Sequence, residues 1–200
     1  TVGSSVALHG STDLGNTAVT VSNGATLTLT AAQATGKSIS ASGSGNITLT
    51  DGSAATAYNL SNISSGSGTV TLAYGTGGTF NGSTSLNGAQ VTVAKDQTLT
   101  MTAAQAAGVT VTGSASAGGG ETGGSVILTS LGTANVDLSG LTAGGASGGG
   151  AVGTITTTVG SSVALHGSTD LGNTAITVSK DATLTMTAAQ AAGVTVTGSA

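Results

Sequence analysis

The chain has 200 residues with seven acids, three lysines and no arginine, a net charge of −4, and only 5% charged residues. That balance offers no basic surface to nucleic-acid phosphates or anionic lipid heads, so neither nucleic-acid binding nor electrostatic membrane attachment is expected. With 38% hydrophobic residues and a positive mean hydropathy the chain is too apolar and too poor in charge for a disordered Gly/Ser/Thr linker. It has no cysteine for disulfides or zinc, and no apolar run near the roughly 20 residues of a membrane helix.

In chain order, the predicted elements are short strands with a period of two. Val19-Thr20-Val21 and Thr26-Leu27-Thr28-Leu29-Thr30 alternate aliphatic residues with threonine. One face of each strand is then core and the other carries hydroxyls. Between them lies the turn Ser22-Asn23-Gly24-Ala25, which returns as Ala94-Lys95-Asp96-Gln97 and Ser179-Lys180-Asp181-Ala182. A turn that accepts charge in place of Asn-Gly is expected to be exposed. The segment that follows Thr30 departs from the β pattern, as do its copies Thr102-Ala103-Ala104-Gln105-Ala106-Ala107-Gly108 and the stretch from Thr187. A short helical turn is the preferred reading, with Thr capping the first amides, Ala favouring helix and Gly taking the left-handed position at the end. A corner loop of small residues is the alternative. Further strands are predicted at Ile47-Thr48-Leu49, Val70-Thr71-Leu72, Val91-Thr92-Val93, Leu99-Thr100-Met101, Val109-Thr110-Val111 and Thr154-Ile155-Thr156.

Internal duplication governs how these elements combine. Residues 1–43 return at 158–200 with an offset of 157, and over the first 28 positions only Val19/Ile176, Asn23/Lys180 and Gly24/Asp181 differ. Residues 91–115 match 176–200 at all but three of 25 positions, so the shorter motif opens at Val19, Val91 and Ile176, at unequal intervals. Thr1 and Thr158 open at the same point of the block, and Ala200 stops where Ala115 is followed by more sequence. The expectation is one continuous repeat region over 1–200, a fragment of a longer array with one block at 1–157 and the next beginning at 158.

Aliphatic positions at Val19, Ile39 and Leu60, and at Leu27, Leu49, Val70 and Val91, recur about every 20 to 22 residues, within the range of solenoid repeats. This predicts an all-β fold, a β-solenoid (parallel β-helix) of stacked coils of about 20 residues, with short helical turns at the TAAQA segments. At a strand spacing of about 4.8 Å, roughly nine coils extend about 40 Å. The ends of such a stack carry unpaired strand edges. A sandwich of antiparallel hairpins is the competing architecture.

Candidate chemistry is sparse. His9-Gly10-Ser11-Thr12-Asp13 and its copy from His166 to Asp170 hold the residue types of a hydrolytic triad, but neighbours in extended chain project alternately and no nucleophile elbow accompanies them. Gly118-Gly119-Gly120-Glu121-Thr122-Gly123 fits GxGxxG, yet the strand-like Ser125-Val126-Ile127-Leu128 follows it where a dinucleotide site requires a helix. Asp13, Asp51, Asp137 and Asp170 are scattered, and the Gly runs at 118–120 and 148–150 lack the Asp of calcium-binding nonapeptides. No catalytic, cofactor-binding or metal residue is assigned and no cofactor is expected, calcium staying an open alternative that lacks its nonapeptide signature, and the chain is not expected to be an enzyme. Asn46, Asn59, Asn62 and Asn81 open Asn-x-Ser/Thr sites, which matter only in a glycosylating cell.

Two resemblances bear on function. The threonine rows at 26–30, 98–102 and 183–187 resemble the ice-binding face of solenoidal antifreeze proteins. The block TLTMTAAQAAGVTVTGSA, with its variant TLTLTAAQATGKSIS, resembles the strand repeats of giant bacterial surface and secreted proteins, among them haemagglutinin-like adhesins, type I secreted repeat proteins and S-layer or extracellular matrix-filament subunits. The second implies export to the bacterial cell surface or beyond, and a structural role as rod, filament, sheath, surface layer or biofilm matrix. It also implies self-association, with cell-surface or matrix polysaccharide as a further partner; the stalk of an adhesin is the alternative.

Overall fold

Threonine alternating with Leu, Ile, Val or Met does produce strands whose apolar positions are buried and whose threonines are partly exposed. A computed structural model describes residues 1–50, 57–80, 82 and 84–200, and its contacts divide the chain into two compact units, Thr1–Thr92 and Val93–Ala200. The fold is an all-β solenoid in which parallel strands stack about 20 residues apart.

In the first unit the strands are β1 (Val6–Ala7), β2 (Val19–Val21), β3 (Thr26–Thr30), β4 (Ile39–Ala41), β5 (Asn46–Thr50), β6 (Ile63–Ser64), β7 (Val70–Tyr74) and β8 (Gly78–Thr79). One sheet runs β1-β3-β5-β7 and another β2-β4-β6, so each strand pairs with its counterpart one coil later. Like meets like: Val6, Leu27, Ile47 and Val70 form one column and Leu29, Leu49 and Leu72 a second. Leu27, Leu29, Ile47, Leu49 and Leu72 are at most 1% exposed. Each such side chain contributes about 1.5–3 kcal/mol by leaving water. The first column steps unevenly, its rise from Ile47 to Val70 spanning more chain than its rise from Leu27 to Ile47.

Two registers differ from the sequence reading. Leu27 sits on Ile47, with Leu49 on Leu29, because side chains alternate and a two-residue slip preserves the buried face. Ile39 pairs with Ile63 instead of with Leu60, whose carbonyl closes a turn onto the Ile63 amide at 3.0 Å. Leu60 is nonetheless fully buried, at a corner of the coil.

After β9 (Gln90–Val93), the second unit contains β10 (Thr98–Thr102), β11 (Val111–Gly113), β12 (Ser125–Thr129), β13 (Leu141–Thr142), β14 (Ile155–Val159), β15 (Val163–Ala164), β16 (Ala175–Val178), β17 (Leu184–Thr185) and β18 (Val196–Gly198). The ladder β10-β12-β14-β16-β18 is parallel throughout. In its column Met101, Leu128, Thr157, Ile176, Val196 the first two steps span more chain than the last two. Two coils are therefore longer than the sequence period predicts, and both carry Gly-rich insertions. Val109, read as strand, lies in the turn before β11, its amide bonded to the Ala106 carbonyl.

Where these longer coils meet, glycine replaces aliphatic packing. Gly113, Gly124, Gly144 and Gly153 are buried and their backbones touch, with Gly144 N bonded to Gly124 O at 3.0 Å and Gly153 N to Gly144 O at 2.7 Å. A Cβ on Gly113 would overlap the Gly124 oxygen and the Gly144 nitrogen, inside the 3.0 Å that side chains tolerate.

The three TAAQA segments are helical turns, α1 (Ala31–Ala34), α2 (Ala103–Ala106) and α3 (Ala188–Ala191), as preferred from the sequence. A single turn lies far below the length at which a helix persists in water. Each is held by a reciprocal cap: Thr102 Oγ1 accepts from Gln105 N at 3.1 Å while Gln105 Oε1 accepts from Thr102 N at 3.0 Å. Thr30 with Gln33 and Thr187 with Gln190 do the same. Gly36, Gly108 and Gly193 end the turns at φ of 70°, 67° and 79°.

Candidate functional site

The capping glutamines do more than close a helix, and the sequence reading missed this. Gln33 Nε2 donates to the carbonyls of His9 and Thr12 at 2.8 and 2.9 Å, and Gln190 Nε2 to those of His166 and Thr169 at 2.6 and 3.2 Å. One amide thus caps its helix and ties it to the Gly-Ser-Thr loop of the preceding coil. The available signal was a recurrence. Gly-Ser-Thr-x-Leu precedes the capping Gln three times at one fixed interval, Leu14 before Gln33, Leu86 before Gln105 and Leu171 before Gln190.

The loop so held contains the histidine constellation. His9 Nδ1 lies 2.7 Å from Ser11 Oγ, a contact whose donor depends on the ring tautomer. Asp13 does not orient that histidine. Its carboxylate accepts from its own turn, Gly15 N, at 2.8 Å and lies 3.9 Å from Lys37 Nζ. In the copy, His166 Nδ1 accepts from Ser168 N at 3.2 Å and Asp170 Oδ1 from Gly172 N at 2.9 Å. The geometry brings His and Ser together and sends Asp elsewhere, so the three-member proton relay of a hydrolase is not assembled at either loop.

The other candidates disperse in the same way. Asp137 Oδ1 accepts from Ser139 Oγ and N at 2.6 and 3.0 Å, bonds that hold its carboxyl below the usual range. Asp137 and Asp170 are bridge partners in adjacent coils, but among the described residues no group of three or more His, Cys, Asp or Glu converges as a metal site. Asp51 and Asn81 lie outside the described residues. Asn46 and Asn59 spend their side-chain oxygens within the fold, on Thr69 and on Ser61, while Asn62 is exposed.

Gly118–Gly123 is occupied by a structural contact. Lys95 Nζ pairs with Glu121 Oε1, Asp96 Oδ1 accepts from Thr122 N at 2.7 Å, and Asp96 N donates to Thr122 O at 2.7 Å. Glu121 Oε2 also accepts from Ala117 N at 2.7 Å. The hydrogen bond with Lys95 holds the Glu121 carboxyl low and raises the Lys95 ammonium. The turn accepts Gly or Asp at its third position because the backbone there is left-handed: φ is 74° at Gly24, 59° at Asp96 and 65° at Asp181.

Two surfaces remain. The outward threonines form registered ladders, Thr28-Thr48-Thr71 in the first unit and Thr158-Thr177-Thr197 in the second. The last coil, in contrast, shows apolar positions to solvent, with Leu184 and Met186 half-buried, Ala188 exposed and Val196 44% exposed. No helix among the described residues is long and apolar enough to cross a membrane. No protein-family model matches the chain, and neither the curated proteins nor the solved structures contain a significant match to it.

Proposed function

We propose that this chain is a non-catalytic structural module, a length of extracellular rod or filament at the bacterial surface or in its matrix, extended by laying one β-coil on another. The observation that carries the reading is the identity between residues 98–115 and 183–200. In the earlier copy Leu99, Met101, Ala103, Ala106 and Val111 are at most 1% exposed, with β12 and β13 stacked on its strands. In the later copy Leu184 and Met186 are half-buried and Ala188, Ala191 and Val196 exposed, so the sequence that is covered in one coil recurs in another. Self-association is the partner chemistry this favours. Cell-surface or matrix polysaccharide is secondary, and in the alternative role as an adhesin stalk the binding head lies elsewhere.

The test is diffraction and imaging of assembled secreted material. Axial spacing near about 4.8 Å in rods supports the reading. Monomeric globular particles with antiparallel-sheet infrared bands overturn it.

The registered Thr28-Thr48-Thr71 ladder favours a second reading, ice binding, because it sets methyl and hydroxyl groups at one-strand intervals on a sheet. Absence of thermal hysteresis at millimolar protein removes it.

A further inference from the structure

The Lys-Asp turn occurs twice in the second unit with different surroundings. At Lys95-Asp96 the turn is engaged by the coil above through the Lys95–Glu121 ion pair and the two-way hydrogen bonding of Asp96 with Thr122. At Lys180-Asp181 both residues are exposed, and among the described residues no carboxylate stands within ion-pair distance of Lys180. Asp181 nevertheless keeps the left-handed backbone of Asp96, at 65° against 59°. Ser199 Oγ of the coil above accepts from the Lys180 amide at 3.0 Å, so the turn is engaged through its backbone, and what it lacks among the described residues is an acid at the Lys180 side chain.

The first unit shows what a different turn selects. Asn23 Oδ1 accepts from Ser44 N and Oγ at 2.8 and 2.9 Å, and the coil above is a short one that brings Ile47 onto Leu27. The coil above Lys95-Asp96 is longer, bringing Val126 onto Leu99, and its extra length includes the Gly-rich stretch that carries Glu121 and Thr122. An acceptor oxygen at Asn23 takes a serine from a short coil. A cation followed by a carboxylate takes an acid and a backbone amide from a long one.

We propose that Lys180-Asp181 is a docking clasp for a further long coil of this same repeat, one that carries an acid-Thr dipeptide between glycines as Glu121-Thr122 is carried. The proposal rests on the coil-stacking reading above and names the coil that stacks. Charge complementarity argues for this occupant, and the half-buried Leu184 and Met186 with the exposed Val196 form the apolar bed beneath it.

The experiment extends the full chain after Ala200 with a copy of residues 116–142, the sequence that follows the same Gly-Ser-Ala in the middle copy. Hydrogen exchange of the Val196 amide reports coverage. Protection is expected to rise. Lys180→Ala, or changing the appended copy of Glu121 to Gln, should each increase opening about two- to fivefold, and the two together no more than either alone. A second extension, with a copy of residues 44–70, should protect Val196 with no dependence on Lys180. If both extensions protect Val196 and Lys180→Ala changes neither, the clasp is overturned while stacking stands. If neither protects it, both readings fall.

Discussion

Residues 98–115 and 183–200 are identical in sequence and belong to the same unit, yet they fold to different extents. The first copy begins with β10, which pairs with β12 along its whole length from Thr98 to Thr102; the second begins with β17, only Leu184–Thr185, paired with the equally short β15. Leu99 and Val111 are fully buried, while Leu184 is half-buried and Val196 44% exposed. What is equal in the two copies is local, namely the capped helical turn and the glycine after it. What differs is non-local. In a solenoid, strand length and burial belong to the contact between coils, and the sequence of one coil supplies half of it.

The largest test of this contrast is at glycine. Gly113 and Gly198 are equivalent, but a Cβ on Gly113 overlaps backbone while one on Gly198 meets nothing within 4 Å. Gly113→Ala should cost at least about 3 kcal/mol or prevent folding of the long coils, whereas Gly198→Ala should stay within about 0.5 kcal/mol. Urea denaturation followed by circular dichroism separates the two. Equal effects would mean that the glycine contact is not made.

The leucines should divide similarly with smaller amplitude. Leu99→Ala opens a cavity under a covering coil and should cost about 3 kcal/mol. Leu184→Ala removes a half-buried side chain and should cost about 1 kcal/mol. Since repeat arrays unfold locally, hydrogen exchange resolved to single strands is the better readout, and it should show Thr98–Thr102 more protected than Thr183–Thr187 in the unmodified chain.

This division also explains what could be read from the sequence. The Thr/Leu alternation, the turn at Asn23-Gly24 and the TAAQA helical turns are set by near neighbours in the chain, and each lies where the sequence places it. The Leu27–Ile47 register, the burial of Leu60 at a corner and the contact of Gly113 with Gly124 are set by partners in another coil, and a period alone leaves them open. The histidine loop was legible as a repeated sequence, at His9 and again at His166. Its attachment through Gln33 and Gln190 was not, because the amide acts across a coil boundary.

The caps offer the opposite test, an effect that should ignore coverage. Thr102→Ala and Thr187→Ala each remove an acceptor for a helix amide, 3.1 Å away in the first case and 3.2 Å in the second, and each should cost about 1 kcal/mol. A cost at Thr102 several times that at Thr187 would show that the covering coil, not the cap, holds α2.

The smallest effect expected is the pH dependence of the Lys95–Glu121 contact, which the later copy lacks. The folded Glu121 carboxyl is held below its ordinary value by its hydrogen bond to Lys95, so its contribution is present above the unfolded value of about 4.3 and is lost as pH falls through the folded one. Lys95 is raised by the same bond, so its contribution is present below about 10.4 and is lost as pH rises through the folded value. Lys95 is exposed and Glu121 half-buried, so salt should weaken the effect. In Glu121→Gln, exchange of the Thr122 amide should lose its acid and alkaline limbs together, while Lys180→Ala leaves both unchanged. An acid limb that survives Glu121→Gln would overturn its assignment to Glu121, since the Thr122 amide also donates to Asp96 Oδ1.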